Sequence, residues 1–556
     1  MKPTPFNPGQ SIQQALALHQ QGRLDEAEKL YARVLKSQRD NFDALHLLGM
    51  LNNQRGKTGE AYRLINAALK VQPRSPDALS NLALVLHALK RSGEALAALD
   101  KALALAPGHL DALNNRGNLL LDLGRPEDAA AAFDAVLALA PRNVQALINR
   151  GNARAAQGHA DRAMADYDAA LAAAPGHPLA LYNRGNALRA LGREPEALAA
   201  YDSALKAAPD YASAWTNRGM ALAALNRHAD AVQSYGRALA LQPDNADVHF
   251  NAALSLLTAG DYPRGFAEYE WRWKRAGMGA RKDLRKPLWQ GETPLAGRTI
   301  LLHAEQGLGD TLMFARYALV LAGGGAKVVM EVQPELKSLL GGLEGVAAIV
   351  AHGEALPPFD VHCPLTSLPF VCKTELASVP AEIPYLRATD GRIAHWRPRL
   401  EGLRGPRIAL AWSGRATHVN DRNRSLSLAQ LAPLLSLDDV SFVSIQRELR
   451  AADAETLARH PRVVHLGGHL DDFTDTAAVL ALVDMVVCVD TSVAHLAGAL
   501  GRPAFVLLPF QPDWRWTLER DASPWYPAMR LFRQPAIGDW TSVVTRARDE
   551  LAGIKI

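Results

Sequence analysis

Two short stretches combine residue types that handle anions and protons. In the first, Glu305-Gln306-Gly307-Leu308-Gly309-Asp310 follows the apolar run Thr299 to His303 and leads into a helical pattern starting near Thr311. Gly307 and Gly309 permit close approach to the backbone, and the helix start favours negative charge. Asp310 offers a carboxylate that can accept a proton from a nucleophile, or else cap the helix that follows it. In the second stretch, Val486 to Val489 runs into Asp490-Thr491-Ser492-Val493-Ala494-His495, again a strand passing into a helix. Its amides and hydroxyls can receive a diphosphate, while His495 is either a ligand or a packed core histidine.

Several further residues could complete such a site. Arg415, Arg422 and Arg424, in the loop after Trp412, can clamp a diphosphate through paired hydrogen bonds or pair with Asp421. Gln446 at the end of a strand, and Asp475 with Thr476 at a helix start, stand where a nucleoside could be contacted. Capping accounts for Asp475 equally well, and a satisfied polar side chain accounts for Gln446.

The elements that position these residues are short apolar strands alternating with helices, the signature of parallel βαβ units. Strands are expected at Thr299 to His303, Lys327 to Val332, Val346 to Val350 and Phe359 to Cys363. A second set follows at Arg407 to Trp412, Val440 to Ile445, Val463 to Leu466, Met485 to Val489 and Ala504 to Leu508, with a closing helix near Thr541 to Leu551. The pattern predicts two Rossmann-like lobes, 299–386 and 405–556, joined by a linker at 387–404, with ligands at the carboxyl ends of the strands.

The chain before these lobes repeats itself. Gly22, Gly56, Lys90, Gly124, Gly158, Gly192, Asn226 and Gly260 recur at a spacing of 34. Five residues after each stands a small residue, Ala27 through Ala231 and finally Gly265, and a second small column runs from Gly49 to Ala253. Phe133, Tyr167, Tyr201, Tyr235 and Tyr269 are expected to fill the space between units. Pro73, Pro107, Pro141, Pro175, Pro209 and Pro243 stop each second helix. This pattern resembles the tetratricopeptide repeat in period and residue type, with eight repeats over 8–276 after a tail at 1–7 and before a connector at 277–298. The predicted fold class is thus an α-solenoid followed by an α/β module. The large aromatics Tyr269, Trp271 and Trp273 in the last repeat predict that it packs on the domain that follows.

Repeats of this family hold peptides along the groove that stacking creates. Asn81, Asn115, Asn149, Asn183, Asn217 and Asn251 recur midway along each first helix, where asparagine is a poor helix former. A ladder of amides can grip an extended backbone, in a way that resembles the asparagine ladder of the O-linked N-acetylglucosamine transferases; otherwise each asparagine bonds the adjacent repeat. Arg116, Arg150, Arg184 and Arg218 form a neighbouring basic column, expected to be a solvated helix edge.

The two candidate stretches gain specificity together. Gly309-Asp310-Thr311-Leu312, then Asp490-Thr491-Ser492-x-x-His495-Leu496, then Leu500-Gly501-Arg502-Pro503 occur in the order seen in heptosyltransferase-like inverting glycosyltransferases of the GT-B fold. The chain resembles bacterial proteins that fuse tetratricopeptide repeats to such a domain, which also carry a segment like Pro509 to Trp516. The resemblance implies sugar transfer from a nucleotide-sugar, with Asp310 as base and Asp490, Thr491, Ser492 and His495 at the donor. Ser492 departs from the glycine usual there, and the loop after Trp412 lacks the lysine often present, which leaves the donor unassigned. No Asp-x-Asp pair occurs in the α/β half, so neither a metal nor another cofactor is expected. A non-catalytic adaptor that binds a nucleotide, or only stabilises the scaffold, is the alternative.

The composition agrees with a globular chain. Of 556 residues 48% are hydrophobic and 21% charged, and a formal charge of +4 over this length is too weak to imply nucleic acid, for which a concentrated basic face would be expected, so no nucleic-acid partner is predicted. Cys363, Cys372 and Cys488 fit neither a disulfide framework nor a zinc site. The start of the sequence has no apolar signal and no membrane span is expected, so a cytoplasmic location is predicted, with a protein or peptide acceptor as partner.

Overall fold

The computed structural model describes residues 6–277, 284–418 and 420–554; residues 278–283 of the expected connector lie outside it. Two compact units make up the chain, Met1–Ala221 and Leu222–Ile556, with the division inside the helix Ala212–Ala224.

The first unit is a run of antiparallel helix pairs, such as Leu110–Asp122 with Pro126–Leu139 and Val144–Ala156 with Ala160–Ala173. Each pair follows the same local rules. The first helix starts where a side chain accepts from an otherwise orphaned backbone N–H, as Asn41, Ser75, His109, Asn143 and His177 do. The second stops one residue before a proline: Ala106 is the cap ahead of Pro107, and Ala140 the cap ahead of Pro141. Between the helices the chain reverses through a left-handed residue, Gly158 at φ 80° or, at some steric cost, Lys90 at φ 62°.

The small column and the aromatic column are two halves of one contact. A Cβ on Gly117 would lie 2.5 Å from Phe133 Cζ, and one on Gly151 would lie 2.4 Å from Tyr167 Cε1. The aromatic rings expected between units therefore lie within each unit, flat against the glycine of the partner helix. Tyr167 OH then donates to Asn152 at 2.8 Å, which satisfies the hydroxyl its burial would otherwise strand.

The second unit begins with the last repeat helices, His228–Leu241, Ala246–Thr258 and Tyr262–Tyr269, followed by a 3-10 turn at Glu270–Lys274. Two parallel sheets follow. The first orders its strands β3-β2-β1-β4, with β1 Thr299–His303, β2 Lys327–Val332, β3 Val346–Ala351 and β4 Val361–Pro364. The second has the order β10-β9-β8-β5-β6-β7, with β5 Arg407–Ala411, β6 Ser441–Ser444, β7 Val464–His465, β8 Met485–Val489, β9 Ala504–Leu508 and β10 Met529–Arg533. β8 and β9 are buried at every residue, as central strands covered on both faces must be, which is why both read as unbroken apolar runs.

Three details depart from the sequence reading. The connector joins the first lobe, because Trp289 N–H donates to His362 O at 2.8 Å and its ring is buried in the core. The linker carries a helix, Asp390–Trp396, and β10 forms an edge strand that no apolar run announces. The last repeat packs on the second lobe as expected: Trp525 Nε1 donates to Tyr262 OH at 3.0 Å, and Phe266 meets Trp514 edge-on at 5.6 Å.

The glycine contacts predict a measurable asymmetry. Gly151→Ala should lower stability by about 1–3 kcal/mol, since the methyl must displace Tyr167. Gly236→Ala, with nothing within 4 Å of its Cβ, should raise it by about 0.5–1 kcal/mol. Denaturation midpoints followed by circular dichroism check both signs; equal effects would mean that the ring does not rest on the glycine.

Candidate functional site

Sheet order locates the site before any side chain is considered. In the first sheet the chain switches sides at β1, and in the second it leaves β5 toward β6 and β7 and returns on the other side with β8. Ligands of open parallel sheets bind outside the carboxyl ends at such switch points, here the turn after β1 and the loops after β5 and β8.

The helix after β1 starts at Leu308, three residues earlier than the expected Thr311, because extended Gly307 serves as its N-cap. Asp310 is therefore the third helical residue, and its Oδ2 accepts the Gly307 N–H at 3.0 Å. Its other oxygen pairs with Arg515 from the second lobe. Gly309 has a packing reason: a Cβ there would lie 2.8 Å from His495 Cδ2, so the bare backbone lets this helix lie on the helix Ser492–Ala499.

His495 itself is buried, accepts or donates at Nδ1 with Tyr526 OH at 3.1 Å, and stacks on Trp516 at 5.4 Å. Burial, together with the nearby Arg515, pushes its pKa down to about 3, so the ring is neutral near pH 7. A neutral histidine in that position is not a counter-charge for phosphate.

At the end of β8, Arg424 Nη1 donates to the carbonyl of Asp490 at 3.0 Å. Gly414 makes room for it, since a Cβ would lie 2.7 Å from Arg424 Nη2. Burial and the neighbouring Asp513 push the Asp490 carboxyl up from its usual range. Among the described residues, Arg424 Nε, Thr491 Oγ1 and Arg515 Nε are buried around these strand ends without a partner. Ser492 opens the helix beside Thr491, half-buried. Arg415 and Arg422 are exposed and carry no side-chain partner among the described residues; Asp421 pairs instead with Arg450 at 2.5 Å.

Two sequence candidates prove to be engaged elsewhere. The Gln446 amide accepts from the Trp412 and Ser413 N–H groups, both at 3.1 Å, and donates to the Ser413 and Glu448 carbonyls. It shapes the loop after β5 and has little left for a nucleoside. Asp475 accepts from Trp396 Nε1 and Arg392 Nη1, both at 2.9 Å, and from the Asp471 N–H, which ties it to the linker helix. Thr476 donates back to the Asp472 carbonyl.

The amide column of the first unit bonds from repeat to repeat. Asn115 donates to Ser80 at 3.0 Å, Asn149 to Asn118 at 2.8 Å, Asn183 to Asn152 at 2.9 Å and Asn217 to Asn186 at 2.7 Å. Asn81 meets His46 in the same way, at 2.9 Å. In the second unit Asn251 is half-buried. The arginine column is ion-paired: Arg116 with Asp100, Arg150 with Asp166, Arg184 with Asp168 and Arg218 with Asp202.

One cluster escaped the sequence reading altogether. Arg272, with no exposed side-chain surface, pairs with Glu270 at 2.5 Å and with Glu305 at 2.8 Å, and donates to Ser367 at 2.6 Å. Thr366 adds a hydroxyl to Glu305, and Tyr269 shares a bond with Gln306. The end of the last repeat thus grips the turn that carries Asp310. Glu305 Oε2 is left without a partner, and burial, only partly offset by Arg272, pushes the Glu305 pKa up to about 7. The clue was the pairing of charges with aromatics in Glu270 to Trp273.

A raised carboxyl pKa makes the folded state hold a proton that the unfolded state has lost, so stability falls as pH rises from about 4.5 to about 7, by at most about 1.4 kcal/mol per unit. Glu305→Gln should flatten this part of the stability profile, measured as melting temperature between pH 4.5 and 8. An unchanged profile would place the titration elsewhere.

Comparison with known proteins adds the following. Models of the tetratricopeptide repeat match residues 74–142, 114–178, 148–212, 182–238 and 219–260, and one for subunit 3 of the anaphase-promoting complex matches 20–102. The model of glycosyltransferase family 9 (heptosyltransferase) matches 428–509, which includes Asp490 to His495 and stops short of Asp310 and Arg515. Protein FlbA of Caulobacter vibrioides (strain ATCC 19089 / CIP 103742 / CB 15) is 28% identical over 328 residues, 54% of each chain, so the chain spans about half the length of this curated relative. Among solved structures, a tetratricopeptide repeat protein from Parabacteroides merdae ATCC 43184 covers 45% of this chain and 98% of its own at 20% identity, TM-score 0.38. PilW, a type IV pilus biogenesis factor, covers 36% and 94% at 25% identity, TM-score 0.35. Among the described residues no helix is long and apolar enough to cross a membrane. The chain thus combines helix pairs that match tetratricopeptide-repeat models with an α/β region whose second lobe matches, over 428–509, the model of glycosyltransferase family 9 (heptosyltransferase).

Proposed function

We propose that the α/β half transfers a sugar from a nucleotide-sugar with inversion, and that the repeats present a protein or peptide acceptor. One observation carries the reading: Arg424 Nε, Thr491 Oγ1 and Arg515 Nε are buried donors without partners among the described residues, at the strand ends of the switch point. Buried donors in that state cost about 1–3 kcal/mol each, and a diphosphate supplies the acceptors that would satisfy them. The family match covers the strand end and helix start that hold Thr491.

In this reading the diphosphate of the donor lies against Arg424, Thr491 and the start of the helix at Ser492, with Asp490 beneath it. Arg415 and Arg422, exposed beside them, are free to close on it. Asp310 comes from the other lobe and takes the proton from the acceptor as the acceptor's heteroatom bonds to the sugar carbon. The bond to the phosphate oxygen breaks and its electron pair leaves with the nucleoside diphosphate, whose charge the arginines neutralise. Gly307, His495 and Gln446 shape the walls and loops of this site, while Asp475 and Thr476 hold the linker helix and their own helix start. In the repeats, the Asn115, Asn183 and Asn217 side chains use their nitrogens on the neighbouring repeat, and their carbonyl oxygens remain as acceptors for a peptide backbone.

One observation favours a different reading, a nucleotide-binding adaptor without turnover: the Asp310 carboxylate is already occupied by Arg515. Two measurements separate the readings. Thermal shifts with UDP-, ADP- and GDP-sugars should show stabilisation by one donor, weakened about 10- to 100-fold in affinity by Arg424→Met; no shift with any donor would remove the donor site. Transfer of a labelled sugar by the stabilising donor, with Asp310→Asn slower by about two to four orders of magnitude, marks the enzyme. Binding without transfer marks the adaptor.

The acceptor side has its own outcome. Replacing Asn115, Asn149 and Asn183 together by Ala should reduce transfer to a protein acceptor while donor affinity holds. Unchanged transfer with a lower melting temperature would reduce the column to a bond between repeats.

A further inference from the structure

Arg515 bridges the two lobes at the strand ends. It lies in the 3-10 turn Trp514–Trp516 after β9, with a side chain only 10% exposed. Its guanidinium rests on the Trp514 ring at 4.4 Å, bonds Asp513 at 2.7 Å and pairs with Asp310 across the lobes. Its Nε has no partner among the described residues. The backbone beneath it is pinned, because Arg533 Nη2 donates to the Trp516 carbonyl at 2.6 Å and the Trp516 ring stacks on His495. The side chain can therefore change partner while the turn stays in place.

Two carboxylates share this one guanidinium, and they differ in what they leave free. Asp513 is its neighbour in the turn and anchors it from its own side. Asp310 belongs to the other lobe and also accepts the Gly307 N–H, so it keeps a bond when Arg515 leaves. A diphosphate arriving beside Arg424 and Thr491 brings more negative charge than a single carboxylate, and guanidinium binds phosphate through paired bonds.

Resting on the donor-site reading above, we propose that Arg515 is a ligand of the donor diphosphate, and that the diphosphate and Asp310 compete for its guanidinium. Donor binding draws the guanidinium onto phosphate and frees the carboxylate to take the acceptor's proton. Until then the base is masked, so the site is silent toward an acceptor that arrives alone. The same arginine neutralises the leaving diphosphate once the sugar has moved.

Competition has a signature that a fixed clasp between lobes does not share. Calorimetric titration of the full chain with inorganic pyrophosphate, and beside it UDP, ADP and GDP, reads it directly. Arg515→Met should weaken binding by about 10- to 100-fold, the scale of a charge-assisted bond, with Arg515→Lys between the two as a variant that keeps the charge and the fold. Asp310→Asn should tighten binding several-fold, because Arg515 is no longer held back. In the double variant that gain should vanish; if the gain came only from removing a negative charge near phosphate, it would persist without Arg515. Wild-type binding with no weakening in Arg515→Met or Arg515→Lys, or with no tightening in Asp310→Asn, overturns the proposal and leaves the donor site standing. Failure of the wild-type chain to bind any of these probes overturns both.

Discussion

The arrangement of the second unit depends on one close approach, Gly309 against His495. With no Cβ at residue 309, the helix that follows β1 can lie on the helix that follows β8, and the ends of two separate sheets become neighbours. Any larger residue would have to displace a buried imidazole that is fixed by Tyr526 and Trp516. The Asp310 to Arg515 pair lies beside this contact, where the two lobes meet. The neutrality of His495 belongs to the same constraint, since a charged ring in that apolar contact would have to be solvated.

A second constraint ties the repeats to the chemistry. Arg272 is fully buried and reaches from the last repeat to Glu305, five residues before Asp310, with Glu270, Ser367 and Tyr269 completing the contact. A buried ion cluster of this kind is seldom a source of much net stability, because desolvation offsets most of the attraction, but removal of one member strands the others. The cluster therefore fixes where the turn after β1 can sit, and does so from the repeat side. The last repeat is part of the frame of the candidate site.

How much of this was legible follows from what each signal encodes. The spacing of 34 specified the helix pairs, since caps, left-handed turns and small residues are local requirements written at every period. Strands β1 to β9 were legible as apolar runs, whereas β10 was not, because Arg530 and Arg533 break its pattern on the exposed edge. The helix after β1 starts at Leu308 and not at Thr311, because a glycine in an extended conformation can serve as the cap that the reading assigned to a side chain. Gln446 and Asp475 show where position alone misleads: both stand near strand ends, and only their partners reveal that one shapes a loop and the other holds the linker helix. Arg515 lay in plain view within Pro509 to Trp516, yet nothing in the sequence says that its partner is Asp310, 205 residues earlier.

The central claim is that the unpartnered donors at the strand ends of β5, β8 and β9 form one diphosphate site. Its most direct test is a crystal structure of the full chain with the nucleoside diphosphate that stabilises it. The account predicts phosphate oxygens within hydrogen-bond distance of Arg424, Thr491 and Arg515, the last having left Asp310. A diphosphate bound away from these three residues, with Arg424 Nε and Thr491 Oγ1 still unpartnered, would contradict it.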